Sequence, residues 1–318
     1  MNKKEFDYVV IGAGIAGCSL AYFLSKYSKS ILLIDRNSQV AFGASGAAGA
    51  FLSPLLGKAN DFKDLITKSL IFSTNFYKNL GQELISNCGV SRIPKDEEDR
   101  DKFESYKPYI DFKYTQMNDG YFFEIGSQVT PSLICEKLTK DIEKKLSYNV
   151  EKLEQNQDST WIINDELCAK NIILTTGADI KHIKEEYFDI RGVWGQKIDV
   201  STTTETKINY HKECSVSKAS KIEGSDLYKV SIGATHHKFN CDKNICNYCI
   251  ETANINACSR CYNDSIISSD SLKLIALAND IIKLENVELP LLSYLISSRH
   301  VLQFQQLMLE PILCRLQH

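Results

Sequence analysis

The sequence predicts an α/β fold, with a Rossmann-like dinucleotide-binding domain joined to a second, β-rich domain. Three observations predict it. The stretch Tyr8 to Arg36 reads as strand, tight turn, helix and strand. Residues 171–179, NIILTTGAD, form another buried strand that ends in small residues. Further on, RGVWGQKIDV (Arg191 to Val200) and YKVSIGATHHKF (Tyr228 to Phe239) read as strands of a separate region.

The opening unit carries the chemistry. Tyr8, Val9, Val10 and Ile11 run straight into Gly12, Gly14 and Gly17, spaced GxGxxG. Gly12 suits a tight turn, Gly14 a backbone pressed against a pyrophosphate, and Gly17 a helix lying close to a sheet. A diphosphate placed there meets the exposed N–H groups of Ala13, Gly14, Ile15 and Ala16 and the positive end of the helix. The second apolar run, Ile31 to Ile34, ends on Asp35, 18 residues beyond Gly17. A carboxylate at that strand end can accept hydrogen bonds from ribose hydroxyls. GxGxxG alone is a weak signal. With strand, helix and acid all in place it becomes strong.

Composition bounds the rest. A chain of 318 residues buries a large core and holds one large or two medium domains. Its 43% hydrophobic and 24% charged content is that of an ordinary soluble protein. The net charge of −3 supplies no general footprint for nucleic acid. Lys3, Lys4, Glu5 and Asp7 precede an apolar run too short for a signal peptide, and no uncharged stretch reaches membrane-spanning length. The eleven cysteines then read as reduced thiols or ligands, and the expected compartment is cytoplasmic, away from membranes.

After Asp35 and Arg36 comes a small-residue segment, Gly43 to Ala50, which includes Ala44, Ser45 and Gly46. Such a loop suits a backbone against a ligand, with Ser45 able to donate to a phosphate. Phe62 to Ile85 has helical apolar spacing and predicts an amphipathic core helix; residues 92–104 are a charge run and predict a solvated loop. GYFFEIG (Gly120 to Gly126) reads as a strand. Thr130 is a candidate N-cap for a helix that continues through CEKLTKDIEKKL. Strands are predicted at 149–153, 160–163 and 170–175, and a helix at Asp270 to Glu285. Thr176 and Gly177 would pass close to the same ligand as the glycine turn.

The ordered set VVIGAGIAG, GASGAAGAFLSPLL, GYFFEIGSQVTPSLIC, IILTTGA, RGVWGQ and IGATHH resembles the D-amino-acid-oxidase superfamily of FAD-dependent amine oxidoreductases over about residues 5–240. Within it the chain is most similar to the flavin domain of the bifunctional tRNA 5-methylaminomethyl-2-thiouridine biosynthesis proteins. The resemblance implies an FAD site built from Gly12, Gly14, Gly17, Asp35, Arg36, Ser45 and Gly177, with Val150 near the adenine. It implies an FAD-binding domain from 1–85 and 128–185, and a substrate domain from 86–127 and 186–290. It also implies oxidation of a C–N bond by hydride transfer to flavin. The substrate would be the carboxymethylaminomethyl group of a tRNA wobble uridine, or a small amine or free amino acid of the glycine or sarcosine type. Methylation would then fall to a separate methyltransferase. Because the flavin is the electron sink, no side chain stands out as catalytic. Trp194, Gln196 and His236 lie where the family lines its cavity, with a structural strand turn or ordinary surface and core histidines as the alternatives.

Two departures stand out. The family's closing arginine strand and glycine-rich flavin loop are not matched by the tail 291–318, and Arg299 lies in a different context. The expectation is a truncated product with weakened FAD affinity and turnover, or an inactive flavoprotein. The second departure is a cysteine-rich insertion at 240–265. There Cys246, Cys249, Cys258 and Cys261 form two CxxC pairs able to supply four thiolates to one Zn²⁺. An iron–sulfur cluster, or plain reduced cysteines in a helical insertion, are the alternatives.

Overall fold

The strand Lys4–Ile11 lies between the parallel strands Ile31–Ile34 and Leu167–Leu174, and its two faces seed two cores. The structure is a computed structural model that describes residues 4–60, 62–177, 179, 192–235, 237–240, 245–246, 268–289 and 299–302. Val9 and Ile11 pack with Leu32, Ile34, Val150 and Ile163 on one side of the sheet. Val10 packs with Ile31, Leu33, Cys18, Ala21 and Cys135 on the other. Burial on both faces explains the unbroken apolar runs VVI and ILLI, where a half-exposed strand would alternate. Each such side chain contributes about 1.5–3 kcal/mol by leaving water.

This sheet has six strands, in the order 153–155, 161–163, 167–174, 4–11, 31–34 and 143–145. Strand Glu143–Lys145 corrects the expected long helix. The helix from Pro131 stops at Leu138, where the Thr139 hydroxyl turns back onto the Cys135 carbonyl at 2.8 Å. The chain then pairs in parallel with Ile31–Ile34, and that ladder outweighs the local helical pattern of EKKL. Thr130 has extended dihedrals at the N-cap position, but its side chain makes no capping bond. The strand expected at 149–153 falls at Leu153–Gln155.

A second, largely antiparallel sheet runs 197–202, 228–233, 215–216, 209–211, 90–92, 120–123 and 115–117, with 220–221 also on 228–233. Alternation along Lys197–Thr202 sends Ile198 and Val200 toward the helix Ser268–Asn279, where they meet Leu274 and Ala278. Lys197 and Asp199 take the opposite face, the face that also carries Arg92. A three-stranded sheet (51–52, 127–129, 85–86) and a four-stranded one (245–246, 237–240, 192–195, 299–302) complete the described strands.

The charge run at 92–104 folds differently from the expected loop. Val90–Arg92 is a strand and Glu97–Tyr106 a helix. Asp96 caps it by accepting from the Asp99 N–H at 2.8 Å, and Glu97, Glu98 and Asp99 complement the positive end of the helix. Phe103 is its buried anchor. Asp96→Ala is expected to cost about 1 kcal/mol, read as a lower urea midpoint with an unchanged slope.

The helix Lys63–Leu80 buries only Leu70 and Thr74, which corrects its reading as a core helix. Leu65 and Phe72 are 61% and 56% exposed. Phe72 instead stacks on Phe76, and both lie against Phe23 of the first helix. The expected helix at 270–285 ends at Asn279.

Candidate functional site

The site is built where the first strand ends. Gly12 donates to the Ile34 carbonyl at 2.8 Å and turns the chain with φ of 109°, a backbone that side chains rarely adopt. Thr175, at the end of the neighbouring strand, locks the turn. Its N–H donates to the Ile11 carbonyl at 2.8 Å and its hydroxyl to the Gly12 carbonyl at 2.8 Å. A Cβ on Gly17 would lie 1.9 Å from the Gly12 oxygen and 2.6 Å from the Thr175 hydroxyl. Only a glycine there lets the helix Ile15–Leu24 sit down on the turn.

That helix begins at Gly14, which offers no side-chain cap, so its first-turn amides need partners from elsewhere. Ser45 reaches one of them: its hydroxyl oxygen accepts from the Ile15 N–H at 2.9 Å and keeps its own proton to donate. Ser45 belongs to a short helix, Ala44–Ala47, formed inside the segment read as a loop, so Ala44, Ser45 and Gly46 present one turn of small residues. Ala13 is fully buried, Ile15 half-buried and Ala16 exposed, so the rim opens outward. Nothing lies within 4 Å of where a Cβ on Gly43 or Gly177 would stand.

Asp35 is engaged from within. Its Oδ2 accepts from the Ala13 N–H at 2.6 Å, and its Oδ1 accepts from the Asn37 N–H and side-chain amide at 2.7 and 2.8 Å. A carboxylate offers about four acceptor positions, so one is left for a further donor. Next to it, Arg36 pairs with Asp179 at 2.9 Å, and the Thr176 hydroxyl donates to the Asp179 carbonyl. The ends of two parallel strands are thereby tied together on one side of the glycine turn. Val150 is buried in the sheet core, in a segment held beside Asp35 by the Tyr148 N–H on the Asp35 carbonyl at 2.9 Å.

The other candidates are spread more widely. Gln196 is 5% exposed, and its side-chain amide donates to the Ser271 hydroxyl at 2.9 Å, which gives it a partner in the helix behind the sheet. Trp194 occupies a ladder position opposite His237 on one side and His300 on the other. His236, Cys249, Cys258 and Cys261 lie outside the described residues, and Cys246 sits in the short strand Ile245–Cys246. Among the described residues no group of His, Cys, Asp and Glu is arranged to hold a metal ion. None of the described helices is long and apolar enough to cross a membrane.

One residue escaped the sequence reading, and another, Arg299, was named there without a role. Arg92 was absorbed into the charge run, although the alternating stretch before it, GVSR, was a usable strand signal. Arg299 had an unfamiliar context, yet the strand Arg299–Leu302 pairs with Gly192–Gly195, places Arg299 opposite Gly195, and lies beside the small helix Ala44–Ala47.

A sheet with a parallel centre whose first strand ends in this glycine turn, together with a large, mostly antiparallel sheet, is the architecture of a dinucleotide-binding protein. The chain belongs to the FAD dependent oxidoreductase (DAO) family, whose model matches residues 7–220. It is 21% identical over 232 residues to the tRNA 5-methylaminomethyl-2-thiouridine biosynthesis bifunctional protein of Legionella pneumophila strain Lens, covering 65% of this chain and 34% of that one. The corresponding protein of Campylobacter fetus is 23% identical over 158 residues, 48% of this chain and 25% of its own length. The chain thus spans a quarter to a third of these relatives. Glycine oxidase of Bacillus subtilis is 33% identical over 90 residues, 28% of this chain and 23% of that one. Among solved structures, glycine oxidase from Geobacillus kaustophilus superposes with a TM-score of 0.70 at 12% identity, covering 95% of this chain and 84% of that one. The fold of the chain is that of glycine oxidase and of L-alpha-glycerophosphate oxidase, the latter 14% identical with a TM-score of 0.66.

Proposed function

We propose that this chain oxidises the C–N bond of a secondary amine that carries a carboxylate, and that its substrate is the carboxymethylaminomethyl group of a tRNA wobble uridine. The observation that carries this reading is the match to the bifunctional tRNA-modifying relatives, which extends over 65% of the chain from a family region that begins at the glycine turn. FAD fits the residues present. The site has a turn that excludes side chains at Gly12 and Gly17, a helix start without a side chain at its N-cap, the Ser45 hydroxyl on the Ile15 N–H, and open space at Gly43 and Gly177. We assign its diphosphate to Gly12, Ala13, Gly14, Ile15, Ala16 and Gly17 with Ser45, flanked by Ala44 and Gly46. Its ribose we assign to the remaining acceptor position of Asp35, and its adenosine edge to Arg36, Val150, Thr176 and Gly177.

When bound, FAD supplies the two-electron acceptor for the substrate's C–H bond. The chain's own residues bind, orient and exclude water. An uncharged amine has a lone pair next to the breaking bond, so no protein base is needed beyond keeping the amine neutral. Arg299, set in the ladder opposite Gly195, is our candidate for the substrate carboxylate, with Trp194 and His236 as further lining and Gln196 supporting the strand end through Ser271.

Oxidation of free glycine or sarcosine is the second reading, favoured by the 33% identity to glycine oxidase over 90 residues. Anaerobic mixing of the flavin-loaded full chain with each candidate separates them. Bleaching of the flavin band by tRNA bearing the carboxymethylaminomethyl group, at least tenfold faster than by glycine, is the expected result. The reverse order establishes the second reading. Bound flavin that no amine bleaches overturns both.

A further inference from the structure

Four of the ten large apolar side chains that stand exposed among the described residues lie on one helix, Lys63–Leu80: Leu65, Ile66, Ile71 and Phe72. Leu70 and Thr74 face the protein. The 3.6-residue period therefore puts Leu65, Lys68, Phe72, Asn75 and Asn79 on the opposite side, with Ile71 at its edge. A groove of about 460 Å³ runs along that side, lined by Lys68, Ile71, Phe72, Asn75, Phe76 and Asn79. Its aromatic wall is held in place. Phe72 stacks on Phe76 at 5.6 Å with 9° between the rings, and Phe76 lies 5.5 Å from Phe23. An exposed apolar groove with an ordered aromatic wall marks a contact surface.

Three features of this face select a second copy of the same chain as its occupant. The first is a shared centre. In a two-fold contact each copy supplies both the projecting side chain and the groove that receives it, so the two must coincide along the helix. The groove spans residues 68–79, and the exposed Phe72 stands in its middle third. The second feature is charge. Asp64 lies in the first turn and Lys78 in the last, so antiparallel packing brings the acid of each copy toward the lysine of the other. The same packing sets the helix dipoles head to tail. The third is the polar content of the groove. Lipid tails would leave the amides of Asn75 and Asn79, and the Asp64–Lys68 ion pair at 2.6 Å, without polar partners. A nucleic acid would meet the acid Asp64 beside the aliphatic Leu65 and Ile71. Around a two-fold at Phe72, a second copy places Lys68 against the neutral amide of Asn75, and no like charges meet.

We propose that the chain forms a two-fold dimer through the exposed face of the helix Lys63–Leu80, packed antiparallel on its counterpart about Phe72. This goes beyond the oxidase reading and does not depend on it. One helix pair with its flanks is a small contact, so the dimer is reversible, with a dissociation constant on the order of 1–10 µM.

Sedimentation velocity of the full chain, from about 0.1 to about 100 µM, tests it. The mass is expected to rise from that of one chain to that of two. Phe72→Glu sets two carboxylates at the two-fold and is expected to weaken the dimer at least tenfold. Asn75→Glu places an acid against Lys68 of the other copy and should tighten the dimer about threefold; Asn75→Lys places a like charge there and should weaken it about as much. Both positions are exposed, and thermal unfolding checks that each variant keeps its fold. Should Phe72→Glu fail to fold, the opposite effects of acid and base at position 75 decide alone. One mass across the whole range overturns the proposal. So does a dimer that Phe72→Glu leaves intact, or one that Asn75→Glu and Asn75→Lys shift in the same direction. A monomer that co-sediments with vesicles of phosphatidylcholine and phosphatidylserine, and is released from them by Phe72→Glu, gives the face to a lipid surface and equally overturns it.

Discussion

Gly17→Val is expected to yield a protein that binds FAD at least 100-fold more weakly than the wild type, about 2.7 kcal/mol. A Cβ at this position stands 1.9 Å from the Gly12 carbonyl oxygen, and the closest tolerable approach is more than 1 Å further out. The obstructing atoms are backbone on one side and the doubly bonded Thr175 hydroxyl on the other, so no flexible side chain can swing away. The helix Ile15–Leu24 must lift from the turn, and its amides then leave the positions that the diphosphate would use. Overpacking of this kind also costs about 1–3 kcal/mol of stability. Tyr27→Ser is the matched control, because Tyr27 is 86% exposed beyond the far end of the same helix. Fluorescence titration of apoprotein with FAD reads the first effect, and thermal unfolding the second. Unchanged affinity in Gly17→Val would remove the glycine turn from the cofactor site.

Much of that site was legible because it is written in local terms. Gly12, Gly17, the apolar run before them and Asp35 after them specify a turn, a close approach and a strand end within 36 residues. The partners that complete the site come from far along the chain and leave weaker marks. Thr175 locks the turn across 163 residues, and nothing in its own neighbourhood singles out its hydroxyl. The helix at 97–106 was readable, since Asp96 and the acids behind it form a cap, but the density of charge masked it as a loop. The strand at 143–145 was not readable. Its sequence favours helix, and only pairing with Ile31–Ile34 makes it extended. Arg299 belongs to the same class, because its ladder position opposite Gly195 shows only in the pairing. Sequence therefore announced the glycine turn, while positions such as Arg299 depend on pairings that no local pattern encodes.

In the large sheet, Asp199→Asn is expected to destabilise the chain by about 2–3 kcal/mol at neutral pH. The Asp199 side chain is 9% exposed. It lies 3.2 Å from Lys197 and 3.0 Å from Lys229, and it accepts from the Ser231 hydroxyl at 2.6 Å. Burial by itself would raise this carboxyl above its ordinary value of 3.8; the charge of Lys197, the Ser231 hydrogen bond and Lys229 outweigh it and hold it below. Asparagine keeps the shape and the hydrogen bond but leaves Lys197, itself 13% exposed, without its anion. Lys229 opens to water and loses little, which keeps the cost below that of a fully enclosed pair. The sign of the pH dependence follows from the lowered folded-state value. The stabilisation is complete above the unfolded carboxyl's pKa and disappears as pH falls through the folded one. Urea midpoints of wild type and Asp199→Asn should therefore stay a constant distance apart from neutral pH down to about pH 5 and converge only below about pH 4. A gap that widens on acidification would mean that the carboxyl is held above its ordinary value, and that desolvation, not the two lysines, governs this corner of the sheet.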